Sequence, residues 1–282
     1  MSRGASNVNP LQECFGGHLN KIEEALAREL NLYSWSEFYA PLKYACEGGK
    51  RIRPLILLLS AESVGRCDQQ AYLAASAIEL LHTESIIHDD ILDEESERRG
   101  REPFHVKYGY NMSILTADFV LGIILNIAAK LKEPRVANEL ANVALKMSEG
   151  EMLEVRLHTE PSIELDEYIN VLTHKTASIF EASAKIGAII GGGGEDQVRA
   201  LTNFGRFIGI AYQIHDDLAD WKNEDRLFNA LLNNNSRSKE FMEKMRRLLL
   251  DYADKARKEL YAVRNGKSKL TLDDLLGVTM TE

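Results

Sequence analysis

The sequence predicts an all-α protein folded as one large domain over residues 1–282. Three observations carry this: apolar residues recur at helical spacing through most of the chain, only six prolines interrupt it, and no segment alternates like a strand. No shift in composition divides the chain, and a 45% hydrophobic content supplies one substantial core.

Helices are predicted over about 11–31, 36–47, 53–65, 69–92, 112–131, 134–157, 165–190, 196–221 and 238–264, with a short one near 271–276. Residues 1–10 precede the first and are expected to be flexible. Gly48-Gly49 separates the second helix from the third, and Pro54 suits the first turn of that third helix. The charged run Glu94–Glu102 and Pro103 end the fourth. Glu133-Pro134 marks the next junction and Thr159-Glu160-Pro161 the one after it. Gly191 to Gly194 reads as a linker, because the Lys-Ser/Thr that completes a phosphate-binding loop is missing. Asn233 to Ser236 reads as a polar loop.

A net charge of −9 argues against nucleic acid as a partner, since phosphate backbones require a broad basic face. It leaves room for a small anion held by local cations or metals. Three scattered cysteines, Cys14, Cys46 and Cys67, suggest buried thiols in a reducing compartment. With no signal-like start and no uninterrupted apolar run of membrane-spanning length, a cytoplasmic protein without a transmembrane segment is expected.

One phrase occurs twice. Ile87-His88-Asp89-Asp90-Ile91-Leu92-Asp93 is answered 127 residues later by Ile214-His215-Asp216-Asp217-Leu218-Ala219-Asp220. Each copy ends an apolar helical run, and its first and third carboxylates stand one turn apart, with roughly 5–6 Å between Cβ atoms. Carboxylates at a helix C-terminus also oppose the macrodipole. Two such clusters facing each other would cage hard divalent cations and a polyanion; oxygen-only ligands favour Mg²⁺, Mn²⁺ or Ca²⁺. Mg²⁺ is usually completed by substrate phosphates, which points to a phosphorylated substrate. His88 and His215, one residue before each cluster, are read as hydrogen-bonded packing residues.

Lys50, Arg51 and Arg53 lie at a loop-to-helix junction. They are either a solvated basic surface or, with the helix N-terminus, a diphosphate pocket. Arg98-Arg99-Gly100 follows the first acidic cluster, as local salt bridges or as anion ligands. Glu79-x-x-His82 has the spacing of a di-iron motif, but a second such pair is missing: Glu154 and His158 are one residue too far apart.

In combination, these elements resemble the trans-isoprenyl diphosphate synthases of the polyprenyl synthetase family. The matching residues are Gly49-Lys50-Arg51-x-Arg53-Pro54, Glu79-x-x-His82, Asp89-Asp90-x-x-Asp93, Arg98-Arg99-Gly100, Lys175-Thr176 and Gln213-x-x-Asp216-Asp217-x-x-Asp220. The resemblance implies a helical bundle around a deep central cavity, usually a homodimer. It implies Mg²⁺-dependent condensation of isopentenyl diphosphate with dimethylallyl, geranyl or farnesyl diphosphate, using about three metal ions with Mn²⁺ as a substitute. By resemblance, Asp89, Asp93 and Asp216 are the main metal ligands, and Asp90, Asp217 and Asp220 ligate directly or through water. Arg98 and Lys175 then hold the allylic diphosphate. Lys50, Arg51, His82 and Arg99, assisted by Arg53, hold isopentenyl diphosphate. Thr176 and Gln213 support the allylic cation.

Leu81, Glu84 and Ser85 occupy the positions that limit product length in this family. None is an aromatic plug, so a product of twenty to twenty-five carbons is expected, with Glu84 either paired or a polar floor. Two departures stand out: Gly150-Glu151 replaces the family's usual Gly-Gln, and the stretch after Asp220, from Trp221 through Lys222 to Arg226, lacks the usual Gly-Lys lid. A class I terpene cyclase is disfavoured by the repeated aspartate cluster. A non-catalytic subunit of a heteromeric synthase is disfavoured because both clusters are complete.

Overall fold

Helix after helix forms where the apolar stripes predicted it. The computed structural model describes residues 10–160, 162–221, 227–233, 238–263 and 267–280. Among these no β-strand occurs; an isolated antiparallel bridge joins Arg98 to Arg101. The expected flexible start over 1–9, the lid residues 222–226 and most of the polar loop, 234–236, lie outside the described residues.

The elements are α1 (Pro10–Asn31), α2 (Tyr39–Cys46), α3 (Ile52–Val64), α4 (Gln69–Leu92), α5 (Phe104–Tyr108), α6 (Tyr110–Lys130), α7 (Pro134–Leu157), α8 (Leu165–Val171), α9 (Ser178–Gly191), α10 (Glu195–Ala219), α11 (Leu227–Asn233), α12 (Ser238–Glu259) and α13 (Lys267–Thr279). Two short helices, α5 and α11, were not expected. Gly109, with φ +83°, divides α5 from α6, so what reads as a late helix start is a broken pair. The helix expected over 165–190 is continuous in direction but not in winding: α8 and α9 are joined by a π-helical turn, Leu172–Ala177. Such turns commonly occur at functional sites.

The core is built around α3, which is buried from Ile52 through Ala61 apart from a half-buried Arg53 and so is apolar on all sides. It packs against α9, α9 against α10, and α10 against α12; α4 lies between α3 and α6. The α3–α9 approach is close because Gly187 carries no side chain: a Cβ there would collide with the Leu57 carbonyl. By length and composition α6 alone among the described helices qualifies as a membrane span, which qualifies the expectation of none. Its inner face, including Ala117, Val120, Ile123 and Ile127, is buried in the bundle. Its outer face exposes Ile114, Leu115, Leu121 and Leu125.

Candidate active site

The first acidic cluster closes α4, which is capped at its start by the Asp68 side chain accepting from Gln70 N. Leu81, Ser85, Asp89 and Asp93 follow at four-residue intervals and line one row leading up to the cluster. Asp90, roughly 100° further round the helix, turns into the protein. It is 1% exposed and accepts from Arg98 Nε at 2.7 Å and Nη2 at 2.5 Å. The loop after α4 doubles back to make this contact, with Glu94 and Arg99 at positive φ. Asp90 therefore braces Arg98, where a metal ligand was expected. Burial pushes the Asp89 carboxyl up to about 8; Lys175 opposes this, and the neighbouring Glu151 and Asp93 carboxylates reinforce it.

The basic wall comes from the start of α3. Arg51, expected to hold substrate, is instead 5% exposed and left-handed, with φ 53°. Its three guanidinium nitrogens are engaged: Nε donates to Glu23 at 2.6 Å, Nη1 to Glu79 at 2.5 Å and Nη2 to the Cys46 carbonyl at 2.5 Å. This triad ties α1, α3 and α4 together, so Glu79 is a structural partner and not half of a di-iron motif. Arg53, two residues further on, stands apart from this brace. It stacks on Phe180 at 4.9 Å and donates from Nη1 to His82 Nε2 at 2.9 Å, while its Nε is buried with no hydrogen-bond partner among the described residues. Burial, then the surrounding Arg53, Arg99, Arg51 and Arg98, hold His82 well below its ordinary range, so it accepts as a neutral ring. Arg99 folds over Gly49, where a Cβ would stand 2.9 Å from its Nη1. Lys50 is exposed at the turn beside them.

The π-helical turn between α8 and α9 packs against α7 on one side and α10 on the other. Gly150 of α7 touches the Lys175 backbone so closely that a Cβ would collide with the Lys175 nitrogen. This contact seats Lys175 between two α7 carboxylates, with Nζ 2.7 Å from Glu151 Oε2 and 2.5 Å from Glu154 Oε2. Burial alone would lower the Lys175 pKa, but Asp89, Glu154 and Glu151 together hold it above the ordinary value. The next residue faces the other way: Thr176 Oγ1 donates to Gln213 Oε1 at 3.1 Å, and Gln213 Nε2 donates to Asp217 Oδ1 at 2.9 Å. The Tyr168 hydroxyl donates to Asp217 Oδ2 at 2.5 Å. Asp217 is thus buried and bracing, like Asp90, whereas Asp216 and Asp220 are exposed at the end of α10. The field of Asp216 reaches Arg53.

Asp89 and Asp93 on α4, with Asp216 and Asp220 on α10, make an oxygen-only donor set that suits a hard divalent cation. Among the described residues, no three acidic, histidine or cysteine groups converge on one point, so the two helices supply half-sites. Of the two histidines, only His88 departs from the expected packing role. His88 is exposed, its Nδ1 3.7 Å from Glu84, while His215 is half-buried. Burial, opposed by His88 and reinforced by Asp118 of α6, raises the Glu84 pKa. Glu84 sits beside His88, off the four-residue row, and the row beneath Asp89 consists of Ser85 and Leu81. Sequence reasoning missed Glu151 and Glu154 as partners of Lys175, and Tyr168 as a partner of Asp217. The acidic pair three residues apart on α7 was a usable signal; nothing local marked Tyr168.

Comparison with known proteins bears on the same region. The family model described as Polyprenyl synthetase matches residues 36–230. A geranylgeranyl diphosphate synthase of Methanosarcina mazei is 35% identical over 205 residues, which cover 71% of this chain and 63% of that protein. An octaprenyl diphosphate synthase of Escherichia coli is 31% identical over 217 residues, covering 76% of this chain and 67% of that protein. The match thus spans somewhat less than two thirds of the first of these relatives. Among solved structures, a geranylgeranyl pyrophosphate synthetase from Pyrococcus horikoshii superposes with a TM-score of 0.86 at 25% identity, covering 94% of this chain and 96% of that one.

Proposed function

We infer the activity from the premise that this chain belongs to the polyprenyl synthetase family: it condenses isopentenyl diphosphate head-to-tail with an allylic diphosphate, giving an all-trans polyprenyl diphosphate. The observation that carries this reading is the π-helical turn. Its adjacent residues Lys175 and Thr176 reach the α7 carboxylates beside Asp89 and the α10 amide of Gln213. One turn therefore links an anion-binding ammonium to a dipole that can face a cation.

Lys175 and Arg98 would hold the allylic diphosphate, and Arg53, His82, Arg99 and Lys50 the isopentenyl diphosphate. The orphaned Arg53 Nε is the buried donor that such an anion would satisfy. Arg51 braces this wall through Glu79 and Glu23. Asp89, Asp93, Asp216 and Asp220 would hold Mg²⁺, about three ions as the family resemblance implies, with Mn²⁺ able to substitute. When bound, these ions stabilise the charge developing on the departing diphosphate. As the allylic C–O bond breaks, the Thr176 and Gln213 oxygens present dipoles to the cation without attacking it. The isopentenyl double bond then forms the new C–C bond, and a proton passes to the released diphosphate as the alkene is restored. No side-chain nucleophile is needed.

A product of twenty to twenty-five carbons goes with the small Ser85 and the aliphatic Leu81 below Asp89. The exposed apolar strip on α6 supports a homodimer, and the free thiols support a cytoplasmic location. The test is incubation with radiolabelled isopentenyl diphosphate, Mg²⁺ and each of dimethylallyl, geranyl and farnesyl diphosphate, with chromatography of the dephosphorylated products. Incorporation with at least one primer is expected; none with any primer overturns the reading.

A further inference from the structure

The ammonium assigned to the allylic diphosphate is already engaged. Lys175 has three donors, and two meet Glu151 at 2.7 Å and Glu154 at 2.5 Å. Asp89 stands close enough that its charge acts on both Lys175 and Glu151. The seat is rigid, because Gly150 abuts the Lys175 backbone and the carboxylate at position 151 comes directly after that contact. An incoming diphosphate thus meets a lysine held by two anions, within a wall of four carboxylates: Asp89, Asp93, Glu151 and Glu154. A neutral amide at position 151 would leave Lys175 with one full counter-charge and the wall with one charge fewer.

We propose that Glu151 is a positioning residue that holds Lys175 in reserve, so that an allylic diphosphate engages this lysine only after divalent cations have taken over the neighbouring carboxylates. The proposal rests on the prenyl transfer reading and deepens it. Removing the Glu151 charge leaves Lys175 held by Glu154 alone and more open to an anion at low cation concentration. At saturating cation the two forms converge, because the carboxylates are then neutralised in both. Isopentenyl diphosphate, bound at the Arg53–His82 wall, is unaffected.

The test is calorimetric binding of inorganic pyrophosphate to the full chain across a Mg²⁺ titration, comparing the wild type with Glu151→Gln and Glu151→Asp. At low Mg²⁺, Glu151→Gln is expected to bind pyrophosphate about tenfold more tightly than the wild type, the scale of one hydrogen bond to a charged group. The gap should close at saturating Mg²⁺, and Glu151→Asp should restore the wild-type dependence. In steady state at limiting Mg²⁺, the KM for the allylic diphosphate falls in Glu151→Gln while that for isopentenyl diphosphate stays put, and at saturating Mg²⁺ both match the wild type; melting temperatures verify the fold. Equal or weaker pyrophosphate binding by Glu151→Gln at low Mg²⁺ overturns the proposal. Because the wild type's prenyl incorporation is measured separately, that result leaves the activity reading standing, and absence of incorporation would not mimic it.

Discussion

Gly150 and Lys175 touch backbone to backbone, with no room for a side chain between α7 and the π-helical turn. Gly150→Ala therefore forces the turn outward. Overpacking of this kind costs about 1–3 kcal/mol, and Lys175 and Thr176 both move with the turn. Turnover is expected to fall by more than the stability loss accounts for. Denaturant unfolding and kcat on one preparation test this; unchanged kcat in a folded variant would show that the contact does not set the turn.

Asp89 and Asp90 are chain neighbours for which opposite duties are proposed. Asp89→Asn should abolish incorporation and leave the fold intact. Asp90→Asn weakens a buried carboxylate–guanidinium pair and should cost about 2 kcal/mol of stability, a value discounted because Arg98 is partly exposed. Melting curves and turnover of the two variants separate these roles, and equal melting temperatures would contradict the assignment of Asp90.

The Asp89 carboxyl also gives the metal-free protein a pH signature. Unfolded, it titrates near the ordinary carboxylate value of about 3.9; folded, burial raises it to about 8. Between these values the folded state keeps a proton that the unfolded state releases, so folding is most favoured at the low end. The contribution is full below about 4 and is lost as pH rises through about 8. In EDTA, the melting temperature of the wild type relative to Asp89→Asn should decline across this window. A flat difference would be incompatible with a raised Asp89.

Product length should respond to the row beneath Asp89 more than to its neighbour. Ser85→Phe fills the row and is expected to shorten the product. Glu84→Phe replaces a side chain paired sideways with His88 and is expected to shorten it less. Chromatography of the dephosphorylated products decides, and the reverse order would return Glu84 to the floor of the tunnel.

Tyr168→Phe removes a donor from the buried Asp217 and leaves the Gln213 hydrogen bond in place. A loss of about 1–3 kcal/mol is expected, together with a drop in kcat, because Gln213 is positioned through Asp217. Unfolding free energy unchanged within error would argue against the hydrogen bond.

Helices and acidic clusters were legible in the sequence because both are local: a period of 3.6 residues exposes an apolar stripe, and four residues bring two carboxylates to one face. The doubled Asp-Asp-x-x-Asp phrase, the glycine and proline breaks and the all-α class needed nothing more. The duties within each cluster were not local. Asp90 and Asp217 look like Asp89 and Asp216 in the chain, yet each turns inward to a partner from elsewhere: Arg98 across a reversed loop, Tyr168 from another helix. Arg51 and Arg53, two residues apart, likewise divide into a brace and the anion donor proposed above, because Glu23 and Glu79 accept hydrogen bonds only from the first of them. The π-helical turn, invisible to periodicity, aims Lys175 and Thr176 at opposite walls. Sequence by itself determined which groups this protein owns. Only tertiary packing decided which of them turn inward as braces and which stay at the surface of the site, since burial requires every buried charge to find a partner, and those partners come from distant parts of the chain.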